Sequence, residues 1–377
     1  MAHAVGAERV RDQLQNLALA GLDTRTFALT ALDVLQRAVP FAAACFGTLD
    51  PATHLVTDTV KLSLPDSRDL DWAHYEYEVD DVAKFADLAR RTDRVTTVDH
   101  ETNGDPNRSA RIREFLAPIW NLSHELRAVA GTDGAMWAGI CLFRDEGTAG
   151  FNVAENDFVS SVAGSFATGV RMGLLAAAAT GTSVEHGPAV LVVGPDDEVV
   201  QMSLGAETRL RELACAPFDV WTGLPMPLLS LVSAARAYGS GRYPHTPRLR
   251  LRAPSGEWLV AHASVLAARD GAGQGVVITI EEARPPEIVP LVVAAFGLTA
   301  REQDVVRLVL QGVDTAEIAR TLHLSSYTVQ DHLKSIFSKA GVRSRRELTA
   351  KVFFDQYATR MGAGLAPSGW YEPATPA

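Results

Sequence analysis

The side chains with the most readable chemistry lie near the C-terminus. After Ser325, the residues Val329, Leu333, Ile336, Phe337 and Ala340 recur at helical spacing, which turns them toward a core. Gln330, Asp331, Lys334, Ser335 and Ser338 are then expected to project outward. Ser326 and Thr328 fall in the first turn of this helix, where unpaired backbone amides and the helix dipole favour a phosphate. Cations crowd the same region. His332–Lys351 holds six Lys and Arg against Glu347 alone.

The helices that must position these groups have their ends written into the sequence. Thr299-Ala-Arg-Glu302 reads as a capping box, and Gly312 stops the helix it opens. Asp314-Thr-Ala-Glu317 opens a second helix that ends near Leu322. Ser325 caps a third, closed by Gly341, and Ser344-Arg-Arg-Glu347 reads as a capping box for a fourth. Each cap satisfies amides that a first turn leaves unpaired. The close spacing of helices two and three, with Ile318, Ala319 and Leu322 beneath, predicts a helix-turn-helix that lays its second helix in the major groove of DNA.

Residues Leu298-Thr-Ala-Arg-Glu302, Glu317-Ile-Ala319, Ser325, Thr328-Val329, His332, Ile336, Lys339, Gly341-Val342 and Arg346-Glu-Leu348 together resemble the LuxR family of regulators over about sixty residues. The resemblance implies an all-α four-helix DNA-binding domain at 290–357. It also implies base contacts from Gln330, Asp331 and Lys334, and a fourth helix that aids dimerisation. The set expected to touch DNA is Thr315, Ser326, Thr328, Gln330, Asp331, Lys334, Lys339 and Arg345. Two alternatives stay open for Asp331: it accepts from cytosine N4, or it pairs with Lys334 three residues on. His332 is expected to be a packed, hydrogen-bonded residue, and Arg345 and Arg346 either hold phosphate or form a solvated face.

The charge distribution suits such an arrangement. The chain of 377 residues carries a net charge of −10, but Leu298–Tyr357 is net positive by two, so the remainder is at −12. An acidic body stays off DNA while its basic end binds. With 47% hydrophobic and 21% charged residues the composition is that of a globular protein. No apolar run reads as a membrane span, Gly173–Thr180 being the nearest, and Glu8, Arg9 and Arg11 break up any signal-peptide core. A cytoplasmic location is expected. Cys45, Cys141 and Cys215 have no spacing for a disulfide framework or a zinc site.

The front two-thirds reads as two α+β units. In the first, a helix at about Leu22–Val39 precedes strands at Phe41–Leu49 and His54–Leu62. A hairpin follows, His124–Gly131 with Met136–Arg144 around Asp133-Gly134, and then a long closing helix at about Ala154–Ala179. Its stripe Phe158, Val162, Phe166, Val170 and Leu174 is long enough to pair with a second copy, or alternatively only covers its own sheet, with Val170 and Leu174 the positions that discriminate. The second unit has strands at Ala189–Val193 and Val199–Met202, helices at Ala206–Leu213 and Pro227–Tyr238, and a closing three-strand meander. No internal repeat is visible. By this order of elements 1–180 resembles a GAF domain and 187–283 a PAS domain, with Pro285-Pro286 breaking the chain and 358–377 forming a disordered tail.

These resemblances imply a regulator whose front domains sense a small ligand, or alternatively serve only to bind partners and dimerise. No cofactor is identifiable. His245 and His262 are poor haem-ligand candidates, and Gly271-Ala-Gly273-Gln-Gly275 reads as a hairpin turn and not a phosphate loop. With no nucleophile elbow or Walker motif, an enzyme is not expected. The expected partners are double-stranded DNA, a second copy of the chain and the transcription machinery, with no membrane.

Overall fold

The computed structural model describes residues 2–65, 68–132, 134–176, 187–213, 219–221, 223–267 and 275–353. Cys215, Asp133, Gly271–Gly273, the expected ends of two helices beyond Ala176 and Phe353, and the tail 358–377 lie outside them. The chain forms two compact units: a front unit that holds two sheets, and a second that takes in Ser255–Trp258 and the helices from Ala283 onward.

The front unit opens with α1 (Ala2–Ala18) and α2 (Thr24–Gln36). Strands β1 (Ala43–Leu49) and β2 (Val56–Leu62) follow, then α3 (Asp69–Ala73), a π-helical turn at His74–Glu78, α4 (Phe85–Leu88), β3 (Val95–Thr97) and α5 (Val98–Glu101). A second π-helical segment, Arg111–Leu116, runs into α6 (Ala117–Trp120). Two long strands, β4 (Leu122–Thr132) and β5 (Ala135–Asp145), lead to α7 (Val153–Ala176). The five strands form one antiparallel sheet in the order β2-β1-β5-β4-β3. β1 is buried on both faces, which is why Ala43–Leu49 reads as a continuous apolar run without alternation. The hairpin turns where expected, with Thr132 opposite Ala135 and Gly134 at φ +83°, a backbone that glycine adopts freely.

α7 packs against α1, α2 and β4. Gly169 permits the approach of α2, because a Cβ there would lie 2.1 Å from the Phe27 ring. Of the two alternatives for the apolar stripe of α7, packing within its own unit describes most of it. Val162, Phe166 and Val170 are buried inside the unit, and only Phe158 and Leu174 are half-buried. By length and composition α7 could cross a membrane, contrary to expectation. Its buried side chains and helical neighbours make it the core helix of this unit.

A second antiparallel sheet continues the unit. It is built from β6 (Ala189–Val193), β7 (Val199–Met202), α8 (Ala206–Leu213), α9 (Met226–Gly239), β8 (Arg248–Arg252), β9 (Trp258–Val265) and β10 (Val276–Glu282). Its order is β7-β6-β10-β9-β8, the same succession as the first sheet: two strands, helices, then three strands. The repetition is topological and leaves no trace in the sequence. One buried apolar core runs from Ala43 and Cys45 through α9 to Ile280, and Arg250 binds both carboxylate oxygens of Asp50 at 2.8 and 2.7 Å.

Charged residues missed by pattern reading fill the inner face of the first sheet. Arg127 is fully buried, 2.6 Å from Glu76, with its guanidinium 4.1 Å from the Phe85 ring centroid. Arg111 pairs with Glu125 at 2.9 Å. Buried ions persist only when paired in this way.

The C-terminal unit comprises α10 (Pro285–Ala295), α11 (Ala300–Leu310), α12 (Thr315–Thr321), α13 (Ser326–Ala340) and α14 (Arg345–Phe353). α10 corrects one expectation. Pro285 and Pro286 open this helix and do not break the chain, since the first helical positions need no amide donor. Among the described residues this helix precedes the four expected ones, α11–α14, with Ile288, Leu291 and Val292 buried and α10 packed on α14.

Candidate nucleic-acid interface

The caps form as their residues dictate. Thr299 Oγ1 accepts from the Glu302 amide, and Glu302 Oε2 accepts from the Thr299 amide at 2.7 Å. Asp314 accepts from the Glu317 amide at 2.9 Å, and Ser325 from the Thr328 amide at 3.0 Å. At α14 the box is displaced by one residue. Ser344 Oγ accepts from the Glu347 amide, but the Glu347 carboxylate reaches past Ser344 to the Arg343 amide at 2.8 Å. Gly312 and Gly341 take φ of +80° and +65° just past their helices, the left-handed conformation that ends a helix cheaply in glycine.

The turn between α12 and α13 is tight. His323 adopts φ +54°, and the Leu324 amide donates to the Ala319 carbonyl at 2.9 Å. A non-glycine residue in this conformation carries some strain. Ile318, Ala319, Val329, Leu333, Ile336 and Ala340 are all buried, so α12 and α13 are fixed to one another as a helix-turn-helix. His332 and Phe337 are half-buried.

The outward face of α13 carries Ser326, Tyr327, Gln330, Asp331, Lys334 and Ser338, all exposed. Lys334 Nζ lies 3.3 Å from Asp331 Oδ1, so the two charges meet each other along the helix. Thr328 is half-buried, its hydroxyl 2.8 Å from Ser325 Oγ.

Other expected contact residues are engaged within the unit. Ser335, expected to project outward, turns inward and donates to Glu302 Oε1 at 2.6 Å. Lys339 donates to Glu302 Oε2 at 2.6 Å. The Glu302 side chain is buried, which alone would raise its pKa. Hydrogen bonds from Lys339, Ser335 and Thr299 outweigh that effect and lower it from 4.5 to about 2. One carboxylate thereby caps α11 and fastens the back of α13. Arg345 likewise donates to the Val313 carbonyl at 2.7 Å and to Thr315 Oγ1 at 2.9 Å, tying the start of α14 to the start of α12. Arg346 stays exposed.

Sequence reasoning missed the second role of Glu302. Ser335 and Lys339 are four residues apart on one helix face, which was the available signal. It also passed over Tyr327, whose side chain is 73% exposed in the first turn of α13. Among the described residues, no group of three or more His, Cys, Asp and Glu is placed to hold a metal.

Residues 297–352 match the model for bacterial regulatory proteins of the luxR family. The spore germination protein GerE of Bacillus subtilis is 36% identical over 55 residues, which are 15% of this chain and 74% of that protein. The monoamine regulon transcriptional regulator of Klebsiella aerogenes is 41% identical over 56 residues, 15% of this chain and 25% of the relative. An HTH-type transcriptional regulator of Mycobacterium tuberculosis is 47% identical over 52 residues, 14% of this chain and only 6% of its own length. This chain thus spans a small part of the longer relatives that it matches. A solved structure of the Vibrio cholerae VqmA dimer, described as a LuxR-type receptor, shares 20% identity. The comparison covers 44% of this chain and 81% of that one at a TM-score of 0.19, too low to bear on fold or function.

Proposed function

The chain belongs to the luxR family of bacterial regulatory proteins through residues 297–352, and from that premise we propose that the whole protein is a sequence-specific DNA-binding transcriptional regulator acting in the cytoplasm. One observation carries the reading. The second helix of a helix-turn-helix is pinned from behind by Glu302, while its opposite face stays polar and exposed. A helix held in that way enters the major groove as a rigid element. Gln330, Asp331 and Lys334 meet base edges, and Ser326 with the amides of the first turn holds phosphate. Lys339 keeps α13 in register with α11, and Arg345 with Thr315 keeps α14 in register with α12.

The front unit is proposed to sense a small ligand through its GAF-like and PAS-like sheets and to dimerise the chain. Support comes from two antiparallel sheets of equal strand order with buried charged side chains against the first. The alternative, a front unit that only binds protein partners, would leave its melting temperature unmoved in a small-molecule screen, whereas a ligand raises it by mass action.

Titration of the full chain on duplex DNA at graded salt tests the central claim. Binding that weakens linearly in log–log salt, with a selected sequence favoured over bulk DNA, is expected. No binding at low salt would refute it.

A further inference from the structure

Of the residues on the exposed face of α13, Tyr327 lies one turn before the groups proposed to meet base edges and has no role yet. Tyr327, Gln330, Asp331 and Lys334 stand at i, i+3, i+4 and i+7, so they form one stripe along the helix. All four are exposed, and the buried residues Val329, Leu333, Ile336 and Ala340 lie on the other side. Within this stripe the only charges, Asp331 and Lys334, lie 3.3 Å apart and offset one another. Gln330 and Tyr327 are left as the uncharged groups nearest the N-terminus of α13, the end that approaches base edges in helix-turn-helix complexes. Tyr327 is the exposed large hydrophobic side chain among the described residues of the C-terminal unit. A single exposed aromatic is unremarkable on a surface. At this place in the stripe it is aligned with the base-reading groups.

Resting on the DNA-binding reading, we propose that Tyr327 is a specificity-determining residue that reads thymine. Its ring packs on the thymine C5-methyl, at a base pair adjoining the one met by Gln330. In the major groove the methyl is the one apolar feature that a base pair presents; its presence separates pairs with thymine from G·C and C·G, and its position separates T·A from A·T. The phenol hydroxyl is not needed for this contact, so phenylalanine should replace tyrosine without loss of preference.

The experiment uses the full chain as wild type, Tyr327→Ala and Tyr327→Phe. Binding sites are selected from a random-sequence duplex pool, and each thymine of the wild-type site is then replaced singly by deoxyuridine, which removes only the methyl. Wild type and Tyr327→Phe should lose about fourfold in affinity at one thymine per half-site, the factor expected for one methyl-sized apolar group. Tyr327→Ala should bind more weakly, accept any base at that position and be indifferent to deoxyuridine. Alanine favours the helix and Tyr327 is exposed, so the variant should melt as wild type does. The proposal is overturned if deoxyuridine costs wild type nothing at any position, or costs Tyr327→Ala as much as wild type. Failure of the underlying reading looks different, because wild type would then enrich no sequence at all.

Discussion

Replacing Glu302 by glutamine should unfasten α13 from α11, and the size of the effect follows from the contacts. The carboxylate accepts from Lys339, Ser335 and the Thr299 amide at 2.6, 2.6 and 2.7 Å. A pKa lowered from 4.5 to about 2 corresponds to roughly 3 kcal/mol of preference for the ionised form, at about 1.4 kcal/mol per pH unit. Lys339 remains about a third exposed, so water screens part of this, and about 2 kcal/mol is the expected loss. The folded-state pKa is depressed, so this stability is fully present above about pH 4.5 and disappears as pH falls toward about 2. Urea unfolding of the fragment Ala283–Ala377, followed by circular dichroism across that range, measures it. Wild type should lose its margin over Glu302→Gln as the solution is acidified. A cycle with Lys339→Met should show the two changes to be coupled. DNA titration supplies an independent check. As a pin, Lys339 contributes nothing to counterion release, whereas a phosphate contact would make Lys339→Met lower the salt slope by about 0.9. A glutamine variant as stable as wild type at neutral pH, or a slope reduced by Lys339→Met, would refute the assignment.

Three further outcomes are expected. A fragment starting at Ala283 should fold alone and melt higher than one starting at Pro290, because only the longer one keeps Ile288 and the first turn of α10; equal melting temperatures would mean that α10 contributes nothing. Asp331→Asn should release Lys334 and tighten binding to bulk DNA severalfold at low salt, read by anisotropy, and unchanged affinity would show that the pair at 3.3 Å has no electrostatic consequence. Val170→Glu should cost about 3 kcal/mol or more in the front unit by burying an unpaired carboxylate. A soluble variant with wild-type unfolding would show that Val170 faces outward.

The parts of the fold set by local rules were legible in the sequence. Thr299, Asp314 and Ser325 announce their helices because capping chemistry acts within three residues, and Gly134 marks the hairpin because few residues accept its backbone. The parts set by tertiary contact were not. β3 is three residues long, too short for any alternation to show. The proline pair at 285–286 carries the same letters whether it breaks a chain or opens a helix. For the candidate site, helical spacing located the stripe at Gln330, Asp331 and Lys334, but it assigned Ser335 outward. That residue lies at the edge of the buried face, and only the carboxylate of another helix decides which way it turns. Lys339, Thr315 and Arg345 illustrate the same point: a polar residue beside a binding surface is equally suited to holding that surface in place.

The continuous core beneath the two front sheets has a consequence for how this region comes apart. Since Asp50 and Arg250 are each other's counter-ions and the apolar cluster spans both sheets, neither sheet can open without exposing the other. The region therefore loses structure as a single cooperative block. Calorimetry should find one heat-absorption peak for residues up to Glu282, and amide hydrogens of β1 and β10 should exchange with solvent at a common rate. A disturbance at one sheet is then felt at the other with no intermediate messenger, because the two belong to the same all-or-none transition.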